Sequence, residues 1–264
     1  MERKNAWAAY AGDDGRVEAF AKAYCDFINN GKTERECVAY GEKLAKAHGF
    51  EDLNAVVRSG RKLEAGARVY ANWMGKSFML FVLGEKPLEE GMNILGAHID
   101  SPRIDVKQNP LYEDTDLAYL DTHYYGGIKK YQWVAMPLAL HGVIIKKNGE
   151  KVPVNIGEDE NDPVFCISDL LIHLAQEQMA KNAKDVVEGE ALDLIVGGRP
   201  LAGEEKDAVK ANVLKLLADK YGVEEEDFLS AELEIVPAGK ARDMGFDRSM
   251  ILAYGHDASA RIRR

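Results

Sequence analysis

Residues 92–107 read MNILGAHIDSPRIDVK, a short apolar run from Met92 to Ala97 that stops at His98 and is followed two positions later by Asp100. Short apolar runs suit strands of a covered sheet, and in α/β proteins ligands gather at the carboxyl ends of such strands. Residues two apart in an extended strand end share a face, so His98 and Asp100 can point into one cleft. A metal-bound imidazole needs an acceptor on its second nitrogen, and carboxylates commonly serve. His98 as a ligand with Asp100 behind it meets that need. By spacing alone an HxD pair is a weak signal, and a hydrogen-bonded histidine at a strand end is the commoner reading.

The flanking sequence predicts an α/β chain. From Arg16 to His48 two amphipathic patterns recur, Val17, Phe20, Ala21, Tyr24 and Phe27 in the first and Cys37, Tyr40, Leu44 and Ala47 in the second. Gly31 separates them, and Thr33 with Glu36 forms a capping-box pattern that opens the second helix. Two β-rich runs, Ala67 to Met74 and Ser77 to Leu83, meet at Gly75-Lys76 as a tight hairpin. From about Val106 the pattern changes to short β-like pieces, Leu117 to Tyr125, Trp133 to Ile145 and Lys151 to Val154, which reads as a separate β unit. Asp169 to Met179 is expected to be a helix with Leu170, Leu171, Leu174 and Ala175 inward, and Ala208 to Tyr221 a second one. Leu192 to Val196, Ser230 to Val236 and Ser249 to Tyr254 are the remaining strand candidates.

The last of these strands runs into Tyr254-Gly255-His256-Asp257. A carboxylate has two oxygens and can bridge two divalent ions, so Asp257 is a candidate bridge, although a Gly-His-Asp near a terminus is more often a solvated turn. His256 is read as a structural neighbour. Spacing does not nominate His173, since a histidine on a helix half in a core is usually a satisfied structural residue. His48, His123 and His141 show nothing convergent around them, and Lys146-Lys147 reads as a solvated hairpin end.

Composition narrows the function classes. With 44 acidic against 34 basic residues the formal charge is −10, which argues against a phosphate-binding stripe and hence against nucleic acid as a partner. At 264 residues and 46% hydrophobic content the chain can fill a globular core. Three cysteines, Cys25, Cys37 and Cys166, form no CxxC pair and suit a reducing compartment as buried small apolar groups. No apolar leader and no membrane-spanning run is visible, so a soluble, cytoplasmic protein is expected.

Taken together, GAHIDSPRIDVK (residues 96–107), the THYYGGI run with Trp133 and Pro137-Leu138, ISDLLIHL (residues 167–174) and DRSMILAYGHD (residues 247–257) resemble, in order, the landmarks of the aspartyl aminopeptidase and aminopeptidase I family of two-metal peptidases. The resemblance implies an α/β metallopeptidase catalytic domain, a sheet with helices, interrupted by a β-rich dimerisation insert. It assigns residues 1–106 to the catalytic domain, 107–242 to the insert and 243–264 to the returning catalytic domain. It implies that His98 ligates one zinc ion, that Asp100 orients it and that Asp257 bridges both ions, with manganese or cobalt as possible substitutes. His173 would reach into a neighbouring subunit's active site and steady the substrate carbonyl. The family assembles into dimers stacked as a dodecamer, and its reaction removes amino-terminal residues from peptides.

The family's adjacent glutamates, a later aspartate and a last histidine follow the bridging aspartate, whereas here Asp257 is followed by Ala258-Ser259-Ala260-Arg261-Ile262-Arg263-Arg264. The expectation is therefore an incomplete catalytic domain with weak or no activity in isolation, because one histidine and one aspartate cannot fill four-coordinate sites on two ions. The alternative is a non-catalytic assembly subunit that dimerises through the β-rich insert, and a weaker third reading is a metal-free small-molecule binder. Substrate side-chain preference is not legible. Arg103 and Lys107 could favour an acidic residue and are equally well read as surface charges.

Overall fold

The computed structural model describes residues 5–255, which fold as two units, one of residues 5–101 with 240–255 and one of residues 102–239. The first carries α1 (Ala6–Ala9), α2 (Asp14–Asn30), α3 (Glu34–Ala47), β1 (Glu51–Asp52), α4 (Leu53–Ser59), β2 (Arg68–Trp73) and β3 (Ser77–Val82). The second carries β4 (Arg103–Asp114), β5 (Leu117–Tyr125), β6 (Leu138–Ile145), β7 (Lys151–Ile156), α5 (Gln176–Met179), β8 (Leu194–Gly197), α6 (Ala208–Tyr221) and β9 (Ala231–Pro237). The chain then returns to the first unit as the hairpin β10 (Arg242–Met244) and β11 (Met250–Leu252).

In the first unit β1 pairs parallel with β2, and β2 pairs antiparallel with β3 from Arg68 opposite Val82 to Trp73 opposite Ser77. The turn between β2 and β3 places Met74 and Gly75 at positive φ, as a tight hairpin demands. The capping box that opens α3 forms: the Thr33 hydroxyl accepts from the Glu36 amide, and the Glu36 carboxylate accepts from the Thr33 amide. Glu42 fastens α3 to the sheet, accepting from Asn72 at 2.9 Å and from the Tyr70 hydroxyl at 3.2 Å. The buried side of these helices is Ile28, Cys37, Val38 and Ala45, whereas Phe20, Tyr24, Leu44 and Ala47, expected inside, are exposed. The sequence pattern is amphipathic, but only a narrow stripe of it meets this small sheet.

One expected element does not form and another is cut short. Residues 91–102 adopt no strand, and Met92, Ile94 and Leu95 stand 59–79% exposed. A strand exists only through its ladder, and among the described residues no neighbour pairs with this run. The helix expected over Asp169 to Met179 shrinks to α5, with Leu170, Leu171 and Leu174 outward and Ala175 alone of that face buried. The Asp169 carboxylate accepts from the Leu170 amide and from Gln178 Nε2, both at 2.8 Å, which ties the start of this segment to α5.

The second unit is a six-stranded antiparallel sheet in the order β7-β6-β9-β4-β5-β8. One face is apolar, with Ile104, Leu120, Leu140 and Ile235 buried, and α6 packs on it, bringing Val213 against Gly197. The first turn of α6 has no cap from its own Asp207; instead the Glu113 carboxylate from β4 accepts from the Val209 and Lys210 amides, both at 2.9 Å. Expected strands shift at their ends: β6 begins at Leu138 because residues 130–132 form a 3-10 turn ahead of Pro137, and β4 already starts at Arg103. At Gly142, φ is +140° and a Cβ would stand 1.9 Å from the Glu232 carbonyl oxygen, so β6 and β9 approach there as only glycine permits.

Candidate functional site

His98 and Asp100 lie on a segment of the first unit that is neither helix nor strand, rather than at a strand tip. Their mutual geometry is nonetheless tight. His98 Nδ1 is 2.9 Å from the main-chain oxygen of Asp100 and 3.3 Å from its Oδ1. A carbonyl oxygen only accepts, so Nδ1 carries the hydrogen and Nε2 is the lone-pair nitrogen of the neutral ring. Both side chains are accessible, at 50% and 42%. This is the arrangement of an imidazole oriented from behind for a ligand on its far nitrogen.

The other residues nominated by sequence are distributed differently. Asp257 and His256 lie outside the described residues. His173 belongs to the second unit, in an exposed turn ahead of α5, where it lines a cavity of about 650 Å³ with Ser168, Asp169, Gln178 and Glu188. Leu170, Leu171, Ile172 and Leu174 around it are 55–72% exposed.

Arg103 and Lys107 prove to be engaged residues rather than free surface charges. The Arg103 side chain is 7% exposed, with Nε 2.8 Å from Asp105 and 3.5 Å from Glu234, and its guanidinium stacks 4.2 Å from the Tyr125 ring centre. Lys107 Nζ contacts Asp121 at 2.8 Å and Glu190 at 2.9 Å, and these hydrogen bonds, Asp121 first, hold its ammonium well above the ordinary lysine range. The Tyr112 hydroxyl is pushed up by burial and then by its bond to Asp193.

A smaller cavity of about 540 Å³ in the first unit is lined by Cys25, Lys22, Asp243 and Arg248. Burial, then Asp243, raises the Cys25 thiol above its ordinary value, which favours the protonated form. Cys25, Cys37 and Cys166 are thiols outside any disulfide, with Cys37 buried and Cys25 and Cys166 half-buried.

Sequence reasoning passed over His141. It is 1% exposed, and its Nε2 lies 3.1 Å from Glu158 Oε1. The signal available in sequence was its place in a β run, but the strand it would face could be known only from the fold.

Among the described residues no group of three or more His, Cys, Asp or Glu side chains is placed to hold a metal ion. One oriented imidazole does not make the four-ligand shell that zinc takes, so the described residues do not by themselves fit the ion.

These observations define an α/β chain with an oriented histidine and an antiparallel second unit, and comparison with known proteins gives the class. Residues 27–261 match the model of the M18 family, described as aminopeptidase I zinc metalloprotease. The "Probable M18 family aminopeptidase 1" of Clostridium acetobutylicum is 57% identical over 260 residues, covering 97% of this chain and 56% of that protein. The crystal structure of aminopeptidase I from Clostridium acetobutylicum, 57% identical, superposes with a TM-score of 0.84 over 95% of this chain and 56% of that chain. The M18 aminopeptidase structure from Thermotoga maritima is 45% identical, with a TM-score of 0.87 over 95% of this chain and 54% of that one. The chain belongs to the M18 aminopeptidase family of zinc metalloproteases. It spans about half the length of the relatives it matches.

Proposed function

We propose that the chain serves a metallo-aminopeptidase that removes amino-terminal residues from peptides, and that His98, oriented by Asp100, is its contribution to the metal site. The observation that carries this reading is the Nδ1 contact at 2.9 Å, which makes Nε2 the nitrogen able to coordinate. Asp257 stands in the same proposal as the carboxylate that bridges two zinc ions. Manganese or cobalt would be the substitutes. The rest of the ligand set would come from the part of the relatives that this chain does not span, so the chain alone binds zinc weakly and hydrolyses little or nothing.

The division into two units supports a catalytic portion formed by the first unit, close to residues 1–106 and 243–264, and an insert close to 107–242 formed by the second. Among the described residues no helix is long and apolar enough to cross a membrane; the cytoplasmic placement expected from the sequence is carried in the proposal. The exposed Leu170, Leu171, Ile172 and Leu174 support homo-oligomerisation through the second unit, as dimers or as the dodecamer implied by resemblance, with His173 offered to a neighbouring copy's substrate.

The test is to co-express the chain with the remaining part of the Clostridium acetobutylicum relative, supply zinc, manganese or cobalt, and measure release of amino-terminal residues. Hydrolysis that disappears in His98→Ala is the expected result. A complemented pair that stays inactive with all three metals overturns the proposal.

The same leucines favour a second reading, a non-catalytic assembly subunit. Here His98→Ala leaves association untouched, and a monomer by light scattering at every concentration removes the idea.

A further inference from the structure

The three-stranded sheet of the first unit ends on β3, whose outer side meets no strand among the described residues. The Leu83 amide donates to the Ala67 carbonyl, and the register continues regularly from there to Ser77 opposite Trp73. Backbone groups alternate along an antiparallel strand. Met79 and Phe81 therefore share the Leu83 direction toward β2, while Phe78, Leu80 and Val82 turn their N–H and C=O groups outward.

Sheet edges are ordinarily blunted by charge, by proline or by a cover, because bare backbone groups recruit other strands. Other edges of this chain follow that rule. β1 is the acidic pair Glu51–Asp52, β7 carries Lys151 and Pro153, and β8 is met by Cys166 at Ile195. β3 reads SFMLFV from Ser77 to Val82, with neither charge nor proline, and Met79, Leu80, Phe81 and Val82 are 40–63% exposed. The same unit leaves Met92, Ile94 and Leu95 exposed. An edge that is both unblunted and apolar is suited to being covered.

We propose that β3 accepts one further strand, supplied by the portion of the M18 relatives that this chain does not span. This rests on the reading above, in which that portion completes the metal site. The chain covers 56% of the Clostridium acetobutylicum relative, so ample sequence remains to provide the strand. With Phe78 to Val82 apolar on both faces, the incoming segment is an uncharged one rich in Val, Ile or Leu, as strands covered on both faces are. A second copy of this chain fits less well, because each copy carries a formal charge of −10.

The test co-expresses the chain with the remaining portion of that relative, purifies the pair through a tag on the latter, and follows amide hydrogen exchange across residues 77–83. Exchange there should be at least about tenfold slower in the pair than in the chain alone, while β6, already paired on both sides, stays unchanged. Leu80→Pro removes an outward N–H at a position where an edge strand tolerates proline, and should return the rest of this segment to the exchange of the lone chain. Should Leu80→Pro not fold, the wild-type comparison decides. A pair that hydrolyses peptides while residues 77–83 exchange as in the lone chain overturns the docking and leaves the peptidase reading standing. A pair protected there yet inactive with every metal supports the docking and ends that reading. Failure of the two polypeptides to associate overturns the proposal, as does protection that the lone chain acquires with rising concentration, which would make a second copy the occupant.

Discussion

His98 Nδ1 points at the main-chain oxygen of Asp100 from 2.9 Å and at its carboxylate from 3.3 Å, so one residue fixes both the rotation and the tautomer of the other. The consequence is that the neutral ring carries its hydrogen on Nδ1. Long-range nitrogen–proton correlation spectra of the chain, recorded well above the histidine titration range, should show the Nδ1–H form as the major neutral species of His98. A ring dominated by Nε2–H would mean the orientation does not hold in solution.

Glu42 gathers three donors, Lys46 Nζ at 2.6 Å, Asn72 Nδ2 at 2.9 Å and the Tyr70 hydroxyl at 3.2 Å. The bond to Lys46 and then that to Asn72 hold its carboxyl below the ordinary glutamate value of 4.5. Its folded value is depressed, so its contribution is present above 4.5 and is lost as pH falls through the folded value. Glu42→Gln should flatten that acid limb of the stability curve and cost about 1–2 kcal/mol at neutral pH, read by urea unfolding. An unchanged limb would show that α3 is held to the sheet without it.

Glu113 caps a helix to which it is not attached in sequence, taking the Val209 and Lys210 amides at 2.9 Å each. Glu113→Ala leaves two amides at the start of α6 without this acceptor and should cost about 1–2 kcal/mol. Glu113→Gln, which keeps the oxygen but not the charge, should recover part of it. Equal loss in both variants would assign the effect to the charge alone.

Gly142→Ala is expected to be among the most damaging single substitutions in the second unit. The added carbon would meet the Glu232 oxygen at 1.9 Å and φ is +140°, so β6 and β9 must separate. A loss above about 3 kcal/mol, or failure to accumulate folded protein, is the expected outcome. A variant unfolding at the wild-type denaturant midpoint would contradict the strand spacing described above.

The capping box at Thr33 and Glu36, the β2–β3 hairpin and the limits of α6 could be read directly, because each is specified by residues close together in the chain. Local signals failed where an element depends on packing or pairing with distant residues. Met92 to Ala97 has the composition of a strand and forms none, because among the described residues no strand runs beside it to complete a ladder. The leucines at 170, 171 and 174 have helical spacing, yet they stand exposed, and spacing without a face to bury does not hold a helix.

The sequence by itself determined the order of the landmarks, the pairing of His98 with Asp100 and the β character of the middle of the chain. Only the tertiary structure decided that Arg103 is buried between Asp105 and Glu234, and that His141, unremarkable in sequence, faces Glu234 across a ladder joining positions far apart in the chain. The physical reason is that sequence periodicity says which face of a strand a residue occupies, whereas charge energetics depend on which strand lies beside it.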